Sequence, residues 1–255
     1  ESPANTSALV FPFIHTTSAN PRLAIANILY ETKLYYYEAG LAYAKSPYAY
    51  HTIGSTIAFH YGYYAMARGF NKRAGGEDFY LLNKLAKLAP IKTLSTPTIE
   101  IEARPSQRVP FGTGPALIDI TSMENPINDY YYYHPKCFEA LTYWIQIFPE
   151  LWSEKQDLLT QKAFIDAAYF KKMPALENAA NAFRLQENTL KILKQCKTKI
   201  QFIQQMHIWF DAFKTLKFIH FVRDNQHPSI PLKALASEQS FYTLNPDACA
   251  LLIAQ

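Results

Sequence analysis

Two adjacent carboxylates, Glu77 and Asp78, follow a glycine pair directly ahead of an apolar-periodic segment. Glycine lets the backbone take positive φ and approach a ligand closely, which residues with a Cβ resist, so Gly76 is a candidate ligand contact. Leucines then recur with helical spacing and predict one buried stripe, formed by Leu81, Leu82, Leu85 and Leu88. The two carboxylates are therefore expected in the first turn of a helix, facing the loop, in the position of a general base.

A simpler role for the same carboxylates is helix stabilisation. Acidic residues in a first helical turn complement the helix macrodipole and are common for that reason alone. A nearby helix N-terminus also keeps a carboxylate ionised, which suits a general base and a capping residue equally. The Gly-Gly-Glu-Asp loop by itself leaves both roles open.

A second group of candidate residues lies in the proline- and glycine-rich loop 103–115. The alternating segment 98–102 predicts a strand that leads into this loop. Arg104 and Arg108 lie on either side of Pro105, and arginine binds phosphate oxygens in a bidentate manner. The loop is therefore a candidate for the diphosphate side of an active site, with solvated arginines on a surface loop as the alternative.

A Gly-Ser segment lies upstream of both groups, at Gly54 and Ser55, and a Gly-Phe turn follows it at Gly69. The Gly-Ser segment, the Glu-Asp helix and the Arg-x-x-x-Arg loop together resemble, in this order, the C-terminal part of the catalytic domain of family 2 glycosyltransferases. Those proteins are inverting enzymes of the GT-A fold that use nucleotide-diphosphate sugars. The resemblance covers roughly the first half of the chain.

The resemblance implies a role for each motif. Asp78 would be the catalytic base, with Glu77 beside it. The partners would be a nucleotide-diphosphate sugar and a sugar or lipid-linked acceptor, in the synthesis of cell-envelope polysaccharide. The implied substrate-binding residues are Gly54 and Ser55 on the acceptor side, Gly76 at the helix mouth, and Arg104 and Arg108 on the donor diphosphate side.

The sequence departs from the family pattern on the donor side. Family members begin with a nucleotide-binding α/β half that ends in an Asp-x-Asp motif for a divalent metal, and this sequence contains no Asp-x-Asp. Ahead of the Gly-Ser segment we expect only a strand-like run at 8–15 and a helix at 22–45. We therefore expect a fragment without the donor-binding half and without a complete metal site, with Mg²⁺ or Mn²⁺ bound by the intact parent. The alternative is a non-catalytic helical interaction module derived from a glycosyltransferase.

The residue pattern changes in the turn-rich stretch 122–128. The expected fold is a partial α/β GT-A domain over 1–124 followed by a helical domain over 125–255, predominantly helical overall. Helices are expected in the second region at 138–148, 157–172, 177–196 and 198–224, with an irregular tail after Pro228.

Composition favours a cytoplasmic protein. Aromatic residues make up 15% of the chain, which suits a well-buried core. The three cysteines are widely spaced, which argues against a disulfide framework and against zinc. No apolar run is long enough to cross a bilayer.

The formal charge of +4 comes without a basic stripe or a nucleic-acid-binding motif, so no nucleic-acid partner is expected. The segment 198–224 combines lysines with aromatic residues, a pattern typical of helices that lie on a membrane surface. Peripheral membrane contact is therefore a hypothesis, with a solvated lysine face over a bundle core as the alternative. The seven histidines form no metal-binding pattern and are expected to be structural.

Overall fold

The computed structural model describes residues 5–16, 19–72, 74–102, 104–107, 109–110, 112–153, 174–238 and 241–253. Over these residues the chain is predominantly helical, with three small sheets. It folds as two compact units, a mixed unit (1–42, 47–132 and 230–255) and a helical unit (43–46 and 133–229). The boundary predicted at 124/125 thus falls inside the mixed unit, and the C-terminal residues also belong to that unit.

Short strands open the mixed unit. β1 (Ala8–Val10) and β2 (Phe13–His15) lie where the sequence predicts a single strand-like run. Pro12 separates them, because proline has no amide hydrogen to continue a ladder. β1 is the central strand of a three-stranded sheet, antiparallel to β3 (Ile57–Phe59) and parallel to β4 (Ile91–Thr93). β2 pairs in parallel with β5 (Ile99–Ile101), which lies within the strand predicted at 98–102.

The longest helix of the mixed unit, α1 (Pro21–Tyr43), matches the helix predicted at 22–45. Its start is fixed by Asn20, whose side-chain oxygen accepts hydrogen bonds from the amides of Arg22 (3.0 Å) and Leu23 (3.3 Å). Proline follows at the first helical position, where its missing N–H costs nothing. Beyond the helix, Lys45 takes a positive φ of 56°.

Shorter elements complete the N-terminal part of the mixed unit. A 3₁₀ turn at Gly54–Thr56 runs directly into β3. The elements that follow in the chain are α2 (Tyr61–Met66), α3 (Glu77–Leu85), α4 (Thr113–Ser122), α5 (Pro126–Asp129) and β6 (Tyr131–Tyr132).

The helical unit contains longer helices, with more breaks than the sequence pattern predicts. Its described helices are α6 (Pro135–Ser153), α7 (Pro174–Ala182), α8 (Leu185–Gln195), α9 (Lys199–Trp209) and α10 (Ala212–Asn225). The helix expected at 177–196 is broken at Arg184, which takes a positive φ of 51°. The helix expected at 198–224 is broken at Asp211, which caps α10 by accepting a hydrogen bond from the Lys214 amide (3.1 Å). The helix predicted at 157–172 lies outside the described residues.

An aromatic core holds the helical unit together. Trp144 and Phe218 are fully buried, and their ring centroids lie 5.0 Å apart. Phe210 contacts Trp144 at 5.6 Å and Phe183 at 6.1 Å, in tilted and edge-on arrangements that the ring quadrupoles favour. α6 continues through Pro149, where the sequence suggests a break. In the described part of the chain, no helix is both long and apolar enough to cross a membrane.

The C-terminal residues return to the mixed unit and are more ordered than the irregular tail expected from the sequence. β7 (Ile230–Pro231) pairs antiparallel with β6, and α11 (Leu232–Ser237) and α12 (Pro246–Ile253) follow. Phe241 stacks on the fully buried ring of Tyr36 at 5.4 Å. Tyr132 is also fully buried, and its hydroxyl donates to the Leu29 carbonyl (3.1 Å). Both tyrosines belong to the well-buried aromatic core that the composition predicts.

The break between α9 and α10 generates a stability prediction. Asp211→Ala removes the cap of α10, and we expect a loss of about 0.5–2 kcal/mol in the free energy of unfolding, measured by urea denaturation. Asp211→Asn retains a capping oxygen and is expected to lose much less. Equal losses in both variants would show that the carboxylate has a role other than capping.

Candidate functional site

The first turn of α3 carries the two predicted catalytic carboxylates. Gly76 precedes the helix at φ 68° and ψ 16°, a left-handed conformation that a Cβ disfavours. Glu77 and Asp78 are the acidic residues of the first turn, as the sequence predicts. Gly76 itself holds the N-cap position, so neither carboxylate is the capping residue.

The leucine stripe that anchors α3 is shorter than predicted. Leu81, Leu82 and Leu85 are buried, which fixes the orientation of the helix and of its first turn. Leu88 is 40% exposed, and the prediction that it joins the stripe is wrong. The helix ends at Leu85, so the helical spacing no longer controls where residue 88 points.

The carboxylate of Asp78 lies directly against the Cα of Gly54. A Cβ built on Gly54 would lie 2.3 Å from Asp78 Oδ2 and 2.6 Å from its Cγ, well inside van der Waals contact. Glycine is therefore the residue that lets the carboxylate occupy this place. The fold thus brings together two sites that are distant in the sequence, the Gly-Ser segment and the Glu-Asp helix.

The surroundings of Asp78 make it a stronger base than a free aspartate. Burial, and secondly the negative charge of Glu77, raise the pKa of Asp78 above its ordinary value. The nearby N-terminus of α3 acts in the opposite direction, because its positive end favours the ionised form. The carboxylate is half-buried, so a ligand can still reach it.

Hydrogen bonds inside the 3₁₀ turn hold Gly54 in position. The side-chain hydroxyl of Thr56 donates to the Ile53 carbonyl (2.7 Å), and the Thr56 amide donates to the same oxygen (3.0 Å). His51 Nε2 lies 3.2 Å from Thr56 Oγ1. Because the Thr56 proton is directed at Ile53, the histidine is the donor in this second contact.

The buried ring of His51 links the turn to helix α1. Its Nε2 also lies 3.0 Å from the Phe11 carbonyl, and its Nδ1 lies 2.9 Å from Glu38 Oε2. A carbonyl oxygen only accepts, so Nε2 carries a hydrogen, and a further proton lies between Nδ1 and Glu38. The side chain of His51 is only 1% exposed, so these contacts are shielded from water.

A second histidine–carboxylate pair lies nearer the start of α1. His15 Nδ1 lies 2.7 Å from Glu31 Oε1, and the His15 amide donates to the same oxygen. Between the two pairs, the Tyr35 hydroxyl donates to the Phe13 carbonyl (2.6 Å) and accepts from the Phe13 amide (2.9 Å). Both histidines have structural partners, in agreement with the role expected for them.

The remaining predicted site residues lie around this centre or outside the described residues. Ser55 follows Gly54 in the 3₁₀ turn and is exposed. Arg104 is exposed in the loop after β5, and Arg108 lies outside the described residues. Gly114 at the start of α4 packs closely on Ser106, where an added Cβ would lie 2.7 Å from the Ser106 carbonyl oxygen. Arg104 and Asp78 form no hydrogen bond or salt bridge with each other in the described part of the chain.

Glu38, His51 and Thr56 support the site and were missed by the sequence analysis as a group. The sequence contains a signal for Glu38 alone, because Glu31, Tyr35 and Glu38 follow helical spacing on α1 and share a face. Their partners lie in distant segments, so the spacing alone does not identify them. Among the described residues, no group of three or more histidine, cysteine or acidic side chains could hold a metal ion.

The raised pKa of Asp78 generates a pH-dependent prediction. A carboxyl whose folded-state pKa is raised stabilises the fold fully below its unfolded value of 3.8, and this contribution is lost as the pH rises through the folded value. Asp78→Asn is therefore expected to be more stable, relative to the wild type, at about pH 7 than at about pH 3. Urea denaturation at both pH values measures the difference, with Asp119→Asn on the exposed surface of α4 as the matched control. A variant destabilised at the higher pH would instead favour a helix-stabilising role for the carboxylate.

Comparison of the chain with protein-family models, with curated proteins and with solved structures finds no match in any of the three. The family resemblance of the three motifs therefore stays an interpretation of those residues, and the GT-A assignment of 1–124 stays a prediction. The basis for a functional inference is the arrangement of Gly54, His51 and Asp78 in the mixed unit.

Proposed function

We propose that this chain carries the acceptor-activating side of an inverting glycosyl-transfer site, with Asp78 as the general base. The observation that carries the proposal is the contact between the Asp78 carboxylate and Gly54. The Gly-Ser segment and the Glu-Asp helix are the motifs that the family resemblance assigns to the acceptor side and to the base. Their contact supports a common site.

The chemistry follows from the position and the basicity of Asp78. An acceptor hydroxyl held at the mouth of α3 gives its proton to the carboxylate, and its oxygen forms a bond to the anomeric carbon of the sugar. The bond from that carbon to the nucleoside diphosphate breaks, and the leaving group departs with the electron pair. General-base assistance of this kind contributes about 10²–10⁴-fold to the rate, and a carboxylate with a raised pKa is better suited to it.

The neighbouring residues have supporting roles in this proposal. The Glu77 charge helps to raise the pKa of Asp78. Ser55, which is exposed, and the backbone of Gly76 are the residues proposed to contact the acceptor. Among the described residues, Arg104 is the candidate to bind the donor diphosphate, and it is exposed on the loop after β5.

A second candidate function is a non-catalytic helical interaction module. The absence of an Asp-x-Asp from the sequence favours it. In this case Glu77 and Asp78 only complement the dipole of α3, and their replacement changes stability without changing any reaction.

The test is sugar transfer by the full-length protein. Transfer from UDP- and GDP-linked sugars to a cell-envelope extract is followed in the presence of Mn²⁺ by the release of nucleoside diphosphate. We expect Asp78→Asn to reduce kcat by about 10²–10⁴-fold, because the proton acceptor is lost. Glu77→Gln leaves Asp78 in place and is expected to lose far less activity.

Two controls separate chemistry from folding. The unfolding midpoint of each variant is measured in urea, and Asp78→Asn is expected to match or exceed the wild type near neutral pH. Gly54→Ala places a methyl group where the Asp78 carboxylate lies, so it should lose activity while Asp78 is still present. A wild-type kcat in Asp78→Asn would contradict the proposed role of the carboxylate. Absence of transfer by the wild type would favour the interaction module.

A further inference from the structure

A group of large apolar side chains lies exposed beside β3 and α2. Its members, which we call the aromatic surface, are Phe59 (37% exposed), Tyr61 (84%), Met66 (65%) and Phe70 (42%). The whole of α2 contains no buried residue. Four large apolar side chains exposed within the short segment 59–70 make it a candidate interaction site.

The rings of this region pack on one another at the surface. Phe59 stacks on Tyr64 with centroids 4.8 Å apart, and Phe70 meets both rings edge-on at 6.0 and 5.9 Å. His60 stacks on Tyr61 at 4.9 Å. The aromatic rings therefore pack against neighbouring rings while Phe59, Tyr61 and Phe70 remain exposed to solvent.

The backbone beneath the aromatic surface is tied to the rest of the mixed unit. β3 pairs along its length with β1. The Lys84 ammonium, on α3, donates to the carbonyls of Ala67 (3.1 Å) and Gly69 (3.2 Å) just beyond α2. The four exposed side chains therefore lie on a backbone that is held in place by the β3–β1 pairing and by Lys84.

The segment that carries the aromatic surface is itself basic. The segment 57–72 contains no aspartate or glutamate, and it carries Arg68 and Lys72, both exposed. Cations beside exposed aromatic side chains are the combination that binds a bilayer with anionic lipids. Tyrosine suits the headgroup level, because its ring is apolar and its hydroxyl remains hydrated.

We infer that the aromatic surface docks on an anionic lipid bilayer, with Arg68 and Lys72 against the headgroups. Met66 favours a lipid over a saccharide, because it offers an unbranched apolar chain and no ring face on which a sugar could stack. The inference does not depend on the proposed glycosyl transfer. It goes beyond it by naming a surface and a partner.

Membrane contact at the aromatic surface differs from the sequence-based hypothesis, which places it on the segment 198–224. The segment 198–224 is divided between α9 and α10, and its Phe202, Phe210 and Phe218 side chains are buried. Two of its lysines lie over aromatic rings of the same segment, Lys214 over Trp209 at 5.9 Å and Lys217 over Phe213 at 4.7 Å. The three buried rings are therefore unable to enter a bilayer, whereas Phe213 is 37% exposed.

Vesicle co-flotation of the full-length protein tests the inference. Vesicles of phosphatidylcholine alone are compared with vesicles that also contain phosphatidylglycerol, at low and at high salt. We expect binding to the anionic vesicles, weakened by salt because exposed charges are screened. The Tyr61→Ser/Met66→Ser double variant should lose roughly tenfold or more in partitioning, because it removes two exposed apolar side chains.

Matched controls come from the helical unit and from α12. Ile200 is 70% exposed and Ile253 is 86% exposed, so Ile200→Ser and Ile253→Ser remove similar side chains elsewhere. Both variants should bind as the wild type does. Arg68→Gln/Lys72→Gln should lose the salt-dependent part of the binding, whereas Lys197→Gln, an exposed lysine elsewhere, should retain it.

Four outcomes would overturn the inference. The first is no flotation with anionic vesicles, and the second is equal flotation of the wild type and the double variant. The third is quenching of the intrinsic fluorescence by an oligosaccharide in the wild type but not in Tyr61→Ser, with no vesicle binding. This result would assign the surface to a sugar chain. The fourth is a dimer in analytical ultracentrifugation that the double variant abolishes, which would assign it to a second copy of this chain.

Discussion

The buried pair of His51 and Glu38 is the interaction on which the candidate site depends. It joins α1, the longest element of the mixed unit, to the turn that carries Gly54. The ring makes its three contacts with Glu38, Phe11 and Thr56 while almost fully excluded from water. Removing one partner of a buried hydrogen bond leaves the other partner unsatisfied, which costs about 1–3 kcal/mol in proteins generally. The position of the turn therefore depends on the contacts of His51 with Glu38, Phe11 and Thr56, and replacing one of these partners affects the others.

The position of Gly54 in turn determines the surroundings of Asp78. With glycine in the turn, the carboxylate lies against the backbone and loses part of its water, and the adjacent Glu77 adds a like charge. Both effects favour the protonated form, whereas the N-terminus of α3 favours the ionised form. The net result is a raised pKa of Asp78, which makes its carboxylate a better proton acceptor than a free aspartate. The same residue pair at the start of an isolated helix would keep the dipole and the like charge of Glu77 but would lose the burial.

Local features of the fold could be predicted from the sequence, and contacts between distant segments could not. The leucine spacing predicts α3 and places Glu77 and Asp78 in its first turn, because both depend on neighbouring residues only. The contact of Asp78 with Gly54 depends on how β3, β1 and α3 pack, which no local pattern records. The break at Asp211 carries a capping signal, since aspartate is a preferred N-cap residue. The break at Arg184 carries none, because arginine does not favour the left-handed backbone that it adopts there.

The aromatic surface shows why composition alone misleads about burial. The pattern of 198–224 suggests one continuous membrane helix, but the Asp211 break divides it into two helices, and Phe202, Phe210 and Phe218 enter the core of the helical unit. The segment 57–72 has no sustained periodicity, because a strand and a single short helix contribute its exposed side chains. Its exposure follows from tertiary structure, since β3 and the Lys84 contacts hold the backbone while the rings face solvent.

The candidate catalytic turn and the aromatic surface belong to one continuous stretch of chain. The 3₁₀ turn with Gly54 runs directly into β3, and β3 ends at Phe59. Gly54 and Phe59 are five residues apart, and a strand advances about 3.3 Å per residue, so roughly 17 Å at most separates these two positions. Docking of the aromatic surface on a bilayer would hold Asp78, the proposed general base, within roughly this distance of the membrane-facing side chains. An acceptor attached to a lipid would then reach Asp78 by diffusion within the membrane plane, so the same short segment would locate the acceptor and position the base.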